Sequence, residues 1–284
     1  MLAATGCMNT SASSTAVTTV TPPAARLAPT AILAPPLRMP GWRRVFADNF
    51  TQDVPVGSFP SAVSSTWFAY RDGLKDSSKR GTYLPTDVIS ISNGMMNFYV
   101  HTVHGVHAVA AALPVITGAH GRYGGLLYGR YMIRIRADAV PGYKASLLLW
   151  PDSDQWPKDG EIDFPEVADL GGPIYAFVHY QDGTSPVDQA GVQISQTLTQ
   201  WHTATITWLP HEVQFQLDDH VIASVSQRIP NTPMHAIIQV ETKTDGPAPT
   251  DQAAGSVHIA WLAVFTPSCN RAMSVVPAAA ACTG

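Results

Sequence analysis

Charge is scarce in this chain. Only 13% of its 284 residues are Asp, Glu, Lys or Arg, and 17 basic against 21 acidic residues leave a net charge of −4. So balanced a chain gives no reason to expect nucleic acid or an anionic membrane as a partner. Long apolar runs are missing as well. No stretch reaches the ~18–20 consecutive apolar residues of a membrane-spanning helix, so no transmembrane segment is expected. Long segments of helical period and internal repeats are absent. A Gly-x-Ser-x-Gly elbow and a phosphate-binding glycine loop are also lacking, and nothing calls for a nucleotide or other cofactor.

Cysteine is rare, with three residues. Cys269 and Cys282 lie close together near the C-terminus. In an oxidising compartment they would pair and staple the tail, a contribution of roughly 3 kcal/mol for a loop of this size. Otherwise they are two free thiols in a loose tail. Cys7 follows small residues in Leu2-Ala3-Ala4-Thr5-Gly6-Cys7. This resembles a bacterial lipoprotein processing site, although no charged start and apolar run precede it. A lipid anchor at Cys7 therefore stands beside chance as a reading.

Residues 8 to about 40 are rich in Ser, Thr and Ala, with six prolines between Pro22 and Pro40. Such a segment buries too little apolar surface to order itself and reads as a tether. From Gly41 onward the pattern alternates. Tyr131, Ile133 and Ile135 alternate with Met132, Arg134 and Arg136; Ala204, Ile206 and Trp208 with threonines; Val213, Phe215 and Leu217 with Glu212, Gln214 and Gln216. Turn signals such as Asn93-Gly94 break the runs. The expected fold is all-β, two packed antiparallel sheets forming a sandwich. The expected division is 1–40 as a processed or disordered segment and linker, 41–268 as the folded domain, and 269–284 as a tail.

The most informative stretch is Gly160-Glu161-Ile162-Asp163-Phe164-Pro165-Glu166. On a strand Glu161 and Asp163 share a face, while Ile162 and Phe164 point into a core. Glu166 would then face the core as well. One extra residue in a β-bulge returns it to the acidic face, and Pro165 stands where that bulge is needed. The two glutamates then lie an effective four residues apart, roughly 13 Å between Cα atoms at ~3.3 Å per residue. Side chains leaning together close this to the ~5–6 Å of a retaining glycosidase. Repulsion within the cluster splits the pKa values, so one carboxyl serves as nucleophile and another as acid. The plain alternative is a solvated acidic edge or half of a calcium site.

In this context the chain resembles glycoside hydrolase family 16, the laminarinase-like group. The resemblance covers about residues 41–266. It rests on the acidic motif, on the lead-in Trp156-Pro157-Lys158-Asp159-Gly160, and on the strand Ser146-Leu147-Leu148-Leu149-Trp150-Pro151. Tyr128-Gly129-Arg130-Tyr131, the opening Asp48-Asn49-Phe50 and Trp201-His202-Thr203 through Trp208 carry it further. The resemblance implies a β-jelly roll with a concave cleft. It also implies Glu161 as nucleophile, Asp163 as the carboxylate that assists it and Glu166 as general acid/base. Trp150 and Trp156 would be aromatic walls for sugar rings, and His179 would be a partner in the acid/base region. Ala260 stands where the family often has an aspartate of a calcium site, and no metal is expected.

Trp42, Trp201, Trp208 and Trp261 read as core, while Arg122, Gln239 and Glu241 read as candidates for lining a cleft strand. The expected function is an exported, monomeric, retaining endo-β-glycan hydrolase of a polysaccharide, most simply a β-1,3-glucan. It would act outside the cell or at the cell envelope. Two rival readings are a transglycosylase that remodels a wall polymer and a non-catalytic carbohydrate-binding protein on the same scaffold.

Overall fold

The computed structural model describes residues 34–116 and 123–268. The expectations placed on Cys7, Arg122, Cys269 and Cys282 lie outside these residues.

Alternation does what the sequence pattern asks. The described residues form β1 (Trp42–Asp48), β2 (Trp67–Ala69), β3 (Gly81–Tyr83), β4 (Ile89–Ser92), β5 (Met95–Val103), β6 (Val106–Pro114), β7 (Gly129–Ala137) and β8 (Tyr143–Pro151). The chain continues through β9 (Glu161–Val167), β10 (Pro173–His179), β11 (Gln189–Thr197), β12 (His202–Leu209), β13 (Glu212–Leu217), β14 (His220–Val225), β15 (Met234–Thr242) and β16 (Gly255–Pro267). Among the described residues helix is confined to α1 (Pro85–Val88) and one 3-10 turn at Ser61–Val63. The Asn93-Gly94 turn joins β4 to β5 with both residues at positive φ, 53° and 70°, the geometry that favours this pair in two-residue hairpins.

Hydrogen bonding follows the order β11-β10-β9-β8-β15-β6-β5-β16-β7-β12-β13-β14. The sheet doubles over at β5. Its first half pairs with β16, and its last residues, His101 to Val103, pair with β6. Two antiparallel layers result, with β3 joining β6 in parallel as the exception. This is the two-sheet sandwich expected from the sequence.

The layers meet over a continuous apolar core. Ile162 and Phe164 of β9 are fully buried in it, and Phe164 packs on Phe215 of β13 at 5.4 Å between rings. Trp208 is fully buried too, its indole N–H donating to the Pro230 carbonyl at 2.9 Å. Trp261 is buried as expected but in a second cluster, and Trp42 and Trp201, expected in the core, are only half-buried against it. That cluster also holds Met132, Ala263 and Phe265. Even-numbered β7 residues turn away from the interlayer core, and Trp261 stands opposite Arg134 in register. These aromatics therefore cover the far side of that sheet. A strand that alternates regularly says which residues share a face, not which face is inside.

Candidate active site

Register places the acids. In the β8–β9 pair, Ser146 stands opposite Glu166 and Leu148 opposite Asp163. Two steps on β8 thus match three on β9. The same slip occurs against β10, where Tyr175 faces Glu166 and Phe177 faces Asp163. The extra residue is the β-bulge at Phe164-Pro165, whose peptide bond is cis. Glu161, Asp163 and Glu166 thereby share one face, while Ile162, Phe164 and Val167 are buried on the other.

Cross-strand rows build out that face. Glu161 lies beside His179 of β10, and Trp150 of β8 faces His235 of β15 at the same level. The next row runs Phe177, Asp163, Leu148 and Ile237, and the one after it Tyr175, Glu166, Ser146 and Gln239. A last row sets Lys144 opposite Glu241. Gly160 precedes the first acid at φ 75°, and a Cβ there would meet the His179 carbonyl at 2.6 Å, so the entry to β9 admits only glycine.

Burial dominates the electrostatics. Glu161 and Asp163 are 6% and 4% exposed, while Glu166 is half-buried. Desolvation pushes Glu161 up to about 8; the Glu166 charge adds to the rise, while the Lys144 ammonium and the Trp156 indole N–H oppose it. Asp163 is driven well above the ordinary carboxylate range by burial and by Glu161 and Glu166. Each of these two acids acts on the other's proton affinity, so they titrate together as a pair. Glu166 is raised by burial, with Lys144 opposing and Glu241 adding to the shift.

His179 approaches both inner acids, its Nε2 3.8 Å from Glu161 and 3.7 Å from Asp163. Burial lowers its pKa to about 4, so at neutral pH it is an uncharged neighbour. These three side chains offer ligand atoms within 4.8 Å of one another.

The expected aromatic walls stand together. Trp150 and Trp156 stack with ring centroids 6.0 Å apart, and the Trp156 ring meets His179 edge-on at 5.7 Å. Trp150 is only 6% exposed and its indole N–H donates to Asp154 at 3.2 Å, so Trp156 is the more open of the two. Gln239 and Glu241 do lie on the acid-bearing face.

Several neighbours were not anticipated from the sequence. Tyr175 and Phe177 are half-buried and stack at 5.8 Å on the face of β10 that carries His179. Alternation with Ile174, Ala176 and Val178 could have flagged them. His235 pairs with Asp152 at 2.6 Å near Trp150. Glu241 holds Lys144 at 3.1 Å. Each of those pairs joins residues far apart in the chain, 83 positions for His235 and Asp152.

A β-sandwich carrying two glutamates and an aspartate on one face of a strand, beside stacked tryptophans, defines an enzyme class, the glycoside hydrolases. Residues 123–263 match the family model "Glycosyl hydrolases family 16". The chain belongs to this family. Among solved structures it is similar to the laminarinase from Rhodothermus marinus, at 19% identity and TM-score 0.65, covering 80% of this chain and 98% of that one. The laminarinase catalytic domain from Thermotoga maritima MSB8 gives 17% identity and TM-score 0.65 over 80% and 99% of the two chains. A Bacillus licheniformis β-glucanase gives 16% and 0.61 over 78% and 98%. At such identities these likenesses establish the fold. No curated protein matches the chain in sequence.

Proposed function

We propose that the protein is a retaining endo-hydrolase of β-glucans. The observation that carries this reading is the bulge, which brings Glu166 round to the face of Glu161 and Asp163. In the first step a Glu161 oxygen attacks the anomeric carbon as the glycosidic C–O bond breaks, and Glu166 gives its proton to the departing oxygen. Asp163, on the same face as Glu161 and raised in pKa by burial, offsets charge on the nucleophile when it carries a proton. In the second step Glu166, now ionised, takes a proton from water. The water oxygen displaces Glu161, and the anomeric configuration is retained.

The substrate follows from the fold's company. The Rhodothermus marinus and Thermotoga maritima proteins are described as laminarinases, and another neighbour as a non-specific endo-β-1,3(4)-glucanase. A β-1,3-glucan is accordingly the first substrate to test. The apolar rings of Trp156, Tyr175 and Phe177 suit the apolar faces of its sugars. Such a polymer lies outside the cytoplasm, and we place the enzyme's work there or at the cell envelope.

Azide rescue tests the assignment. Glu161→Ala with an activated aryl β-glucoside should recover turnover in azide and give the α-glycosyl azide. Glu166→Ala should give the β-glycosyl azide. Near-native hydrolysis by either variant would remove the mechanism. Laminarin, lichenan and agarose, each with and without an oligosaccharide acceptor, would then separate linkage preference and transglycosylation from hydrolysis.

A further inference from the structure

Glu241 is a carboxylate with no exposed surface in the middle of the sheet that bears the acids. Four donors converge on it. The Tyr83 hydroxyl and the Ser77 N–H, the latter at 3.2 Å, reach Oε1; the Ser77 hydroxyl and the Lys144 ammonium, the latter at 3.1 Å, reach Oε2. Gln239 donates to the Tyr83 oxygen at 3.2 Å and fixes that hydroxyl in turn. A carboxylate so fully hydrogen-bonded stays ionised despite burial. It is a seat for the ammonium.

Lys144 is buried almost as deeply, its side chain 14% exposed. Among the described residues Glu241 is its only ion-pair partner, so part of its donor capacity remains unspent. Lys144 precedes Ser146 by two on β8, and Ser146 stands opposite Glu166. Lys144 and Glu166 are therefore diagonal neighbours on one face, about 7–8 Å apart at the backbone and within reach of a long side chain. The Ser146 hydroxyl between them is buried with no hydrogen-bond partner.

We propose that Lys144 is a positioning residue for the acid/base work of Glu166, with Glu241 as the anchor that keeps the ammonium in place. This rests on the reading of Glu166 as the general acid/base. The groups facing Glu166 are Lys144 and Ser146 from β8, Glu241 and Gln239 from β15, Tyr175 from β10, and Glu161 and Asp163 from its own strand. Of these, Lys144 is the single cation. It favours the ionised form of Glu166, while Glu241 disfavours it. The pair thus balances a carboxyl that must give up a proton in one step and recover it in the next.

The opposed signs make the test. The alkaline limb of kcat/KM against pH reports loss of the acid's proton. Lys144→Met should move that limb upward by on the order of one pH unit. Glu241→Gln, which keeps the shape of the seat, should move it downward. Lys144→Arg should restore the wild-type profile. A strut that only ties β8 to β15 predicts something else: both variants lower the rate by one factor at every pH with the limb unmoved, and that result overturns the inference. Should Lys144→Met fail to fold, Glu241→Gln alone decides, because an unmoved limb in that variant is equally fatal. Glu166→Ala belongs in the same series. If it keeps the wild-type limb, the acid/base reading itself falls. If it abolishes the limb while Lys144→Met leaves it in place, only the role of Lys144 falls.

Discussion

At the scale of single residues, the acids trade stability for chemistry. Burial raises Glu161 from an ordinary value of 4.5 to about 8. A carboxyl whose folded pKa exceeds its unfolded one contributes stability below the unfolded value, here about pH 4.5, and loses it as pH climbs through the folded value. Near pH 8 and above, the native state must therefore carry a buried charge that the unfolded chain would leave in water. Glu161→Gln removes that charge. It should abolish hydrolysis while raising stability at pH 9 by about 1–2 kcal/mol, with the gain fading toward pH 5. Thermal melts across this range check the claim. An equal gap at pH 5 and pH 9 would mean that ionisation of Glu161 is not the source.

At the scale of elements, one inserted residue decides which side of β9 is chemical. Inserting one alanine between Pro165 and Glu166 would put the acid one step further along β9 and send Glu166 toward Phe215 and the core. Proton transfer to the leaving group should then be lost, lowering the rate on poor leaving groups by about 10²–10⁴-fold. Dinitrophenyl glycosides, which leave without a proton, should still load Glu161 if the strand holds its place. Pro165→Ala keeps the residue count and should retain most activity. Equal activity of the insertion variant and the wild type on the unactivated polymer would refute the register argument.

That register was legible in the sequence because the spacing of three acids, two apolar residues and a proline all lie within one strand. Lys144, Tyr83 and Ser77 were not, and Glu241 was read only as a candidate on a cleft strand without its partners, since the contacts joining them cross the sheet between segments far apart in the chain. For the same reason alternation announced the strands β7 and β12 but left open that Trp42, Trp201 and Trp261 lie on the side away from the interlayer core. Local pattern fixes a residue's face within its own strand. Which face meets the other layer is decided only when the layers pair.

At the scale of the whole molecule, the last strand in sequence is central in space. β16 pairs with β1 over residues 262–267, with β7 over 257–265 and with β5 over 255–259. Val257, Ile259, Leu262 and Val264 fill the core from it, all fully buried. The pairing of residues 42–48 with 262–267 spans the domain, so its loop-closure entropy opposes folding until late contacts form. Without β16, both β5 and β7 become unpaired edges beside an opened core. A chain ending at Ala254 keeps every proposed catalytic carboxylate and every strand of the acid-bearing layer, yet it should show no cooperative melt and no near-UV circular dichroism. Refolding of the complete chain should take milliseconds to seconds, and protection of β1 and β16 amides in pulsed hydrogen exchange should rise together. A truncated chain that melts sharply and hydrolyses laminarin would show instead that the acid-bearing layer, β11 through β6, holds its shape without the sheet behind it.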